Sequence, residues 1–185
     1  MNPKQTEIFT TIDLELAQPS NKIISIGYCI GNIKTREILA SDDLFVLIDE
    51  PLTEPIIELT GITDEKLANE GQPLLVQYEK LRSTHIAFGS FINCLTWGGG
   101  DTQFLGEQLK ASGADFKWCF GRRWIDVKTI YIGYCLTNGF MGKGGLANSM
   151  KKMGLKFQGQ KHSSKDDAIN TFLFFCHLLD KIKVA

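Results

Sequence analysis

The sequence predicts an α/β domain with a mixed central sheet. Three observations carry this. From Ile8, three β-rich segments follow one another with short connections, the pattern of an antiparallel meander. From Leu74 onward, helix-like periods alternate with short apolar runs, as when strands are joined through helices. Size is the third: 185 residues, 43% hydrophobic and 22% charged, match one domain, taken as 1–185 with its core from 8 to 180.

The elements are expected in this order. Ile8 to Ile12 is apolar and β-branched, the composition of a buried strand, and runs into Asp13-Leu14-Glu15. Successive strand side chains point to opposite faces, so Asp13 and Glu15 share one face and Leu14 turns to the core. After a polar turn from Leu16 to Asn21, Ile23–Ile33 alternates loosely through Ile24, Ile26, Tyr28 and Ile30 as a second strand. Glu37–Ile48 is a third, interrupted at Asp42-Asp43. Pro51 and Pro55 break the pattern, and Thr63 caps a short helix holding Asp64, Glu65 and Leu67. Leu74–Leu81 is helical, with Leu74, Leu75, Tyr78 and Leu81 on one side. Phe91–Trp97 is a buried fourth strand that stops at Gly98-Gly99-Gly100, and Asp101 opens a helix carrying Phe104, Leu105 and Leu109. Trp124–Val127 is a short fifth strand. Helices follow at Lys128–Leu136 and Leu146–Met153. A last one starts near Ser163 with an apolar face of Ala168, Phe172, Cys176 and Leu179.

Composition narrows the function. The net charge is −1, so a nucleic-acid partner would have to be drawn by a local patch. Five cysteines without a C-x-x-C pair indicate neither a zinc site nor a disulfide framework, and a reducing cytoplasm is expected. The first seven residues are polar, and no run reaches the ~18 apolar residues of a membrane span, so no membrane association is expected.

Chemistry gathers at three stretches. Asp13 and Glu15 end the first strand; two carboxylates a pleat apart repel, and a divalent cation between them would relieve that. Asp101 stands at a strand-to-helix junction behind three glycines, which let another backbone or ligand come close and leave that loop looser. His162 precedes the last helix, with Asp166 and Asp167 in its first turns. Each has an ordinary structural explanation: solvated acids at a strand end, a favourable charge at a helix N-terminus, a solvated histidine. Helical periodicity does not choose between Asp166 and Asp167, which lie on opposite sides of the apolar face. Lys143, Lys151, Lys152, Lys156, Lys161 and Lys165 form a basic stretch, either a solvated face or a means of steering phosphate. Gly142-Lys143-Gly144-Gly145 resembles a phosphate-binding loop but lacks its Ser/Thr and its first glycine, and reads as a turn.

Taken in order, D-x-E, then D, then H-x-x-x-x-D resembles the DEDD-type 3′→5′ exonucleases of the histidine subclass. The resemblance covers Ile8 to about Leu179. It runs through Ile12-Asp13-Leu14-Glu15, Leu59-Thr60-Gly61-Ile62-Thr63, Trp97-Gly98 before Asp101, Ile125-Asp126-Val127-Lys128, and His162 with Asp166-Asp167-Ala168 and Asn170. It looks closest to the RNA-processing branch and its sporulation-inhibitor-like bacterial relatives. The resemblance implies a ribonuclease H-like fold, a mixed five-stranded sheet flanked by helices. It implies two divalent ions, Mg²⁺ or Mn²⁺, and hydrolysis of single-stranded RNA or DNA from the 3′ end, RNA favoured, to nucleoside 5′-monophosphates. By the same resemblance, Asp13 bridges the ions, Glu15 and Asp167 hold the one carrying the attacking water, Asp101 supports the second, and His162 accepts the proton. The family's spacing selects Asp167 over Asp166. Leu14, Leu16, Gly61, Ile62, Trp97 and Lys165 are implied as substrate contacts. Leu16-Ala17 departs from the Thr or Ser common there, which bears on substrate preference. A regulatory or polymerase-associated protein that keeps this fold is the alternative, and no protein partner is identifiable.

Overall fold

The structure, a computed structural model, describes residues 7–183. Strands β1 (Ile8–Leu16), β2 (Ile23–Asn32) and β3 (Ile38–Phe45) form the expected antiparallel meander. β4 (Leu95–Thr96) adds to the free edge of β1 in parallel, and β5 (Ile125–Asp126) adds to β4 in parallel. The result is a mixed five-stranded sheet of order β3-β2-β1-β4-β5. Helices α1 (Glu54–Thr60), α2 (Asp64–Glu70), α3 (Leu74–Ala87), α4 (Gly100–Ala111), α5 (Lys117–Phe120), α6 (Val127–Thr137), α7 (Leu146–Lys152) and α8 (Ser164–Lys183) complete the described chain. None of them is long and apolar enough to cross a membrane.

The two faces of the sheet have separate cores. Ile12, Leu14, Ile26, Tyr28 and Ile30 pack with Tyr78 and Leu81 of α3, Leu105 and Leu109 of α4, and Phe120. On the other face, Phe9 and Cys29 pack with Tyr131 of α6 and with Phe172, Phe175 and Cys176 of α8. Asp13 and Glu15 follow Phe9 and Thr11 at period two, so they point toward α8.

α8 lies very close to the sheet because β2 has small residues on that face: Ser25, Gly27, Cys29 and Gly31. A Cβ at Gly27 would lie 1.9 Å from the carbonyl carbon of Ser164, and one at Gly31 2.3 Å from the Phe172 ring. That row of small residues is why β2 reads only as loose alternation. Polar contacts then fix the start of α8. Asp43 Oδ1 accepts from Ser164 Oγ at 2.7 Å and from Lys165 N at 2.7 Å, and Ser25 Oγ lies 2.6 Å from Ser164 Oγ.

Several elements differ from the sequence expectation. Asp42-Asp43 does not interrupt β3, since both pair with β2 opposite Tyr28 and Gly27. The fourth strand shrinks from Phe91–Trp97 to two residues. The Asn93 side chain donates to Phe120 O and Arg123 O, which braces a distant turn, and Ile92 is 48% exposed. The fifth strand is also two residues, because Asp126 accepts from Thr129 N and starts α6 at Val127. α1 was hidden by Pro55, which falls in its first turn where a missing N–H is no loss. α3 continues six residues past Leu81, and α5 is too short to show periodicity. Thr63 caps α2 as expected, accepting from Lys66 N.

Candidate active site

Four segments converge on one end of the sheet. β1 supplies Asp13 and Glu15, the first turn of α4 supplies Asp101, the first turn of α8 supplies Asp167, and the turn before α8 supplies His162. A cavity of about 450 Å³ is lined by Asp13, Leu14, Glu15, Trp97, Lys161, His162 and Asp167, with Leu146, Ala147 and Asn148 of α7 closing one side. One donor atom from each of Glu15, His162 and Asp167 lies within 4.8 Å of the others.

The electrostatics are those of crowded, desolvated acids. Burial pushes Asp13 well above the usual carboxylate range, and the charges of Asp101, Asp167, Glu15 and Asp43 push it further. Burial, then Asp167 and Asp101, push Glu15 up to about 8. Burial, then Asp167 and Asp126, push Asp101 up to about 7. Asp167 is also raised, chiefly by burial; the His162 backbone N–H, which donates to Asp167 Oδ2 at 2.9 Å, and the charges of His162 and Lys161 act against that. All four donor groups are carboxylates, the hard oxygen set that suits Mg²⁺ or Mn²⁺ better than zinc. A bound dication would relieve their mutual repulsion.

Asp101 is outside the cavity lining, although its charge acts on Asp13 and Glu15. Its glycine loop is not loose. Thr96 Oγ1 donates to Gly98 O at 2.6 Å, Gly98 N donates to Asp126 Oδ1 at 3.0 Å, and Thr102 Oγ1 donates to Gly99 O at 3.0 Å. Gly98 takes φ 102°, a conformation a side chain would strain. Asp126 therefore positions Asp101 as well as capping α6. The stretch Ile125–Lys128 had marked it, but nothing in the sequence assigned it a role.

Asp166 and Asp167 have different surroundings. Asp166 Oδ2 accepts from Gln160 N at 2.8 Å and packs on Gly159, where a Cβ would lie 2.3 Å from that oxygen. Asn170 braces the same turn, accepting from Gln158 N at 2.9 Å and donating to Gln158 O at 2.7 Å. Asp167 faces the cavity instead. His162 lies at φ 62°, held by its N–H bond to Asp167, with its side chain exposed at the cavity mouth.

Of the expected substrate contacts, Leu14 and Trp97 line the cavity, and Trp97 also packs on Tyr131 and Phe174. Leu16, Gly61, Ile62 and Lys165 do not line it. The Ile62 side chain is buried with Ala17, Ile24 and Phe45, and Gly61 is the left-handed cap of α1, beside Gln160. The backbone N–H of Lys165 is bound to Asp43. Lys161, which the sequence offered only as one of six lysines, is the basic side chain on the cavity wall.

No sequence-family profile and no curated protein sequence matches the chain. Solved structures do. The nuclease domain of 3′hExo, described as a DEDDh family member and bound to rAMP, is 23% identical with a TM-score of 0.80 over 95% of this chain and 93% of that one. Cell-death related nuclease 4 (CRN-4) is 16% identical with a TM-score of 0.81 over 96% and 65%. E. coli exonuclease I in complex with a dA16 oligonucleotide is 12% identical with a TM-score of 0.73 over 97% and 43%. The chain has the ribonuclease H-like fold of these exonucleases.

Proposed function

We propose that the chain is a metal-dependent 3′→5′ exonuclease that shortens single-stranded nucleic acid, RNA ahead of DNA, and releases nucleoside 5′-monophosphates. The observation that carries the reading is the convergence of four partly buried carboxylates, three of them lining one cavity with a histidine at its mouth and Asp101 close enough for its charge to act on them, on a fold shared with exonucleases. The rAMP bound by 3′hExo supports the ribonucleotide preference and the monophosphate product.

Asp13, Glu15, Asp101 and Asp167 would hold two divalent ions, Mg²⁺ or Mn²⁺. Bound there, the ions would supply a hydroxide at neutral pH and neutralise charge on the phosphate. The remaining work falls to the chain's own groups. Trp97 offers an apolar wall against which the terminal base packs, while the Leu14 side chain turns away into the core beneath α3 and α4. Lys161 offers a cation to the incoming phosphate. His162 accepts the proton of the attacking water as the P–O3′ bond breaks, and its exposure lets that proton pass to solvent. The leaving 3′-oxygen regains a proton from solvent.

The test is a gel of 5′-labelled RNA and DNA oligonucleotides with Mg²⁺, Mn²⁺ or EDTA. Stepwise shortening from free 3′ ends, and none in EDTA or on blocked ends, is expected. Equal digestion of blocked and free ends would sink the exonuclease reading. No hydrolysis with either cation would favour a regulatory or polymerase-associated protein.

A further inference from the structure

A second cleft, of about 350 Å³, opens beside the glycine loop and is lined by Lys110, Asp115, Lys117, Arg122 and Trp124. Between Lys110 and Lys128 the chain carries five basic residues, Lys110, Lys117, Arg122, Arg123 and Lys128, against two acids, Asp115 and Asp126. Both acids are engaged by backbone: Asp115 Oδ1 accepts from Lys117 N at 2.8 Å, and Asp126 Oδ1 accepts from Gly98 N at 3.0 Å. Lys110, Lys117, Arg122 and Arg123 are exposed, and none is in a salt bridge among the described residues. In a molecule of net charge −1 this is a local concentration of positive charge. Two aromatic side chains interleave with it, Trp118 at 60% exposed and Trp124 at 43%.

The patch is held in shape from beneath. Tyr78 Oη donates to Asp115 O at 3.0 Å and to Phe116 O at 3.1 Å. Asn93 Nδ2 ties the far side through Phe120 O and Arg123 O. Lys117 and Arg122 therefore project from a braced segment, which lowers the ordering cost of binding. Trp124 adjoins the active-site loop, since a Cβ at Gly99 would lie 4.0 Å from its ring. Cations spaced along a cleft with exposed aromatic faces are the features that bind single strands without base specificity, through phosphate neutralisation and stacking.

We propose that the Lys110–Lys117–Arg122–Trp124 cleft, with Trp118 beside it, binds the upstream part of a single-stranded nucleic acid whose 3′ end occupies the carboxylate cavity. The assignment of the 3′ end rests on the exonuclease reading; the binding surface does not.

The experiment is fluorescence anisotropy with the full chain in EDTA, using 5′-fluorescein RNAs of 4 and 20 nucleotides with 3′-phosphate blocks. The unaltered chain should bind the 20-mer more tightly than the 4-mer. Lys110→Glu/Lys117→Glu/Arg122→Glu, verified as folded by its melting temperature, should abolish that difference. It should also reduce the slope of log K against log salt by about 2, given about 0.7 per phosphate contact on single strands. Trp118→Ala should weaken 20-mer binding by about fivefold or more with its salt slope unchanged. A 20-mer affinity and salt slope untouched by the triple reversal would overturn the proposal. So would binding to phosphatidylserine vesicles with none to RNA, which would make the patch a membrane surface. If the unaltered chain hydrolyses no strand in Mn²⁺, the exonuclease reading fails while the anisotropy result still decides the cleft.

Discussion

Asp166 and Asp167 are adjacent and chemically identical, and their surroundings make them opposites. Each carboxylate accepts a backbone N–H of the preceding turn, Asp167 from His162 and Asp166 from Gln160, but Asp167 also lines the cavity beside Glu15 and Asp13 whereas Asp166 does not. Asp167→Asn is expected to abolish hydrolysis and leave the melting temperature unchanged or raised, because it removes a repelling charge. Asp166→Asn keeps an acceptor for Gln160 N, so it should stay active and lose about 0.5–1.5 kcal/mol in denaturant unfolding. The reverse pattern would move the ligand to Asp166. His162→Ala should cut turnover by about 10²–10⁴, the range for a positioned base, with stabilisation by Mn²⁺ retained. Loss of that stabilisation would make His162 a ligand, a role its nearness to Glu15 and Asp167 also permits.

At the scale of elements, the position of Asp167 depends on the seating of α8. The helix carries Asp167 and rests on a strip of β2 where the backbones nearly touch. Gly27→Ala places a methyl against the Ser164 backbone, which cannot rotate away as a side chain would. It should destabilise by at least about 1–3 kcal/mol and lower activity in parallel, because α8 must shift. Gly100→Ala is the contrast. A Cβ there meets nothing within 4 Å, and Gly100 is the first residue of α4, so its melting temperature should hold or rise by the helix propensity gained. Equal melting temperatures for the two variants would contradict the close seating of α8.

At the scale of the whole molecule, the carboxylate cluster makes stability depend on pH and on cations. Folded Glu15 and Asp101 hold their protons up to about 8 and about 7, well above their unfolded values. Between the unfolded and folded values the folded state binds more protons, so its stability falls as pH rises. In EDTA the melting temperature should therefore drop from pH 6.5 to 8. Mn²⁺ bound at the same oxygens would replace those protons, so it should reverse the trend and add roughly 2.7 kcal/mol at a hundredfold excess over its Kd. Asp13→Ala should show much less of the Mn²⁺ effect. His85 acts in a lower window. Burial lowers it to about 4, with its Nδ1 2.9 Å from Thr10 Oγ1. The unfolded state therefore takes up the extra proton as pH falls below about 6.5, and stability from this residue is lost toward pH 4.

Patterns that depend on near neighbours were legible in the sequence. Strand periodicity put Asp13 and Glu15 on one face, composition marked the meander and the long helices, and the order of acids with His162 resembled that of the DEDD-type exonucleases. What the tertiary structure decided depends on partners far along the chain. Asp43 caps α8 from β3, Asp126 holds the loop before Asp101, and Asn93 braces a turn instead of extending β4. The different surroundings of Asp166 and Asp167 are of the same kind. A carboxylate's role follows from what lies within a few ångströms of it, and folding brings those groups together from positions that local spacing does not relate.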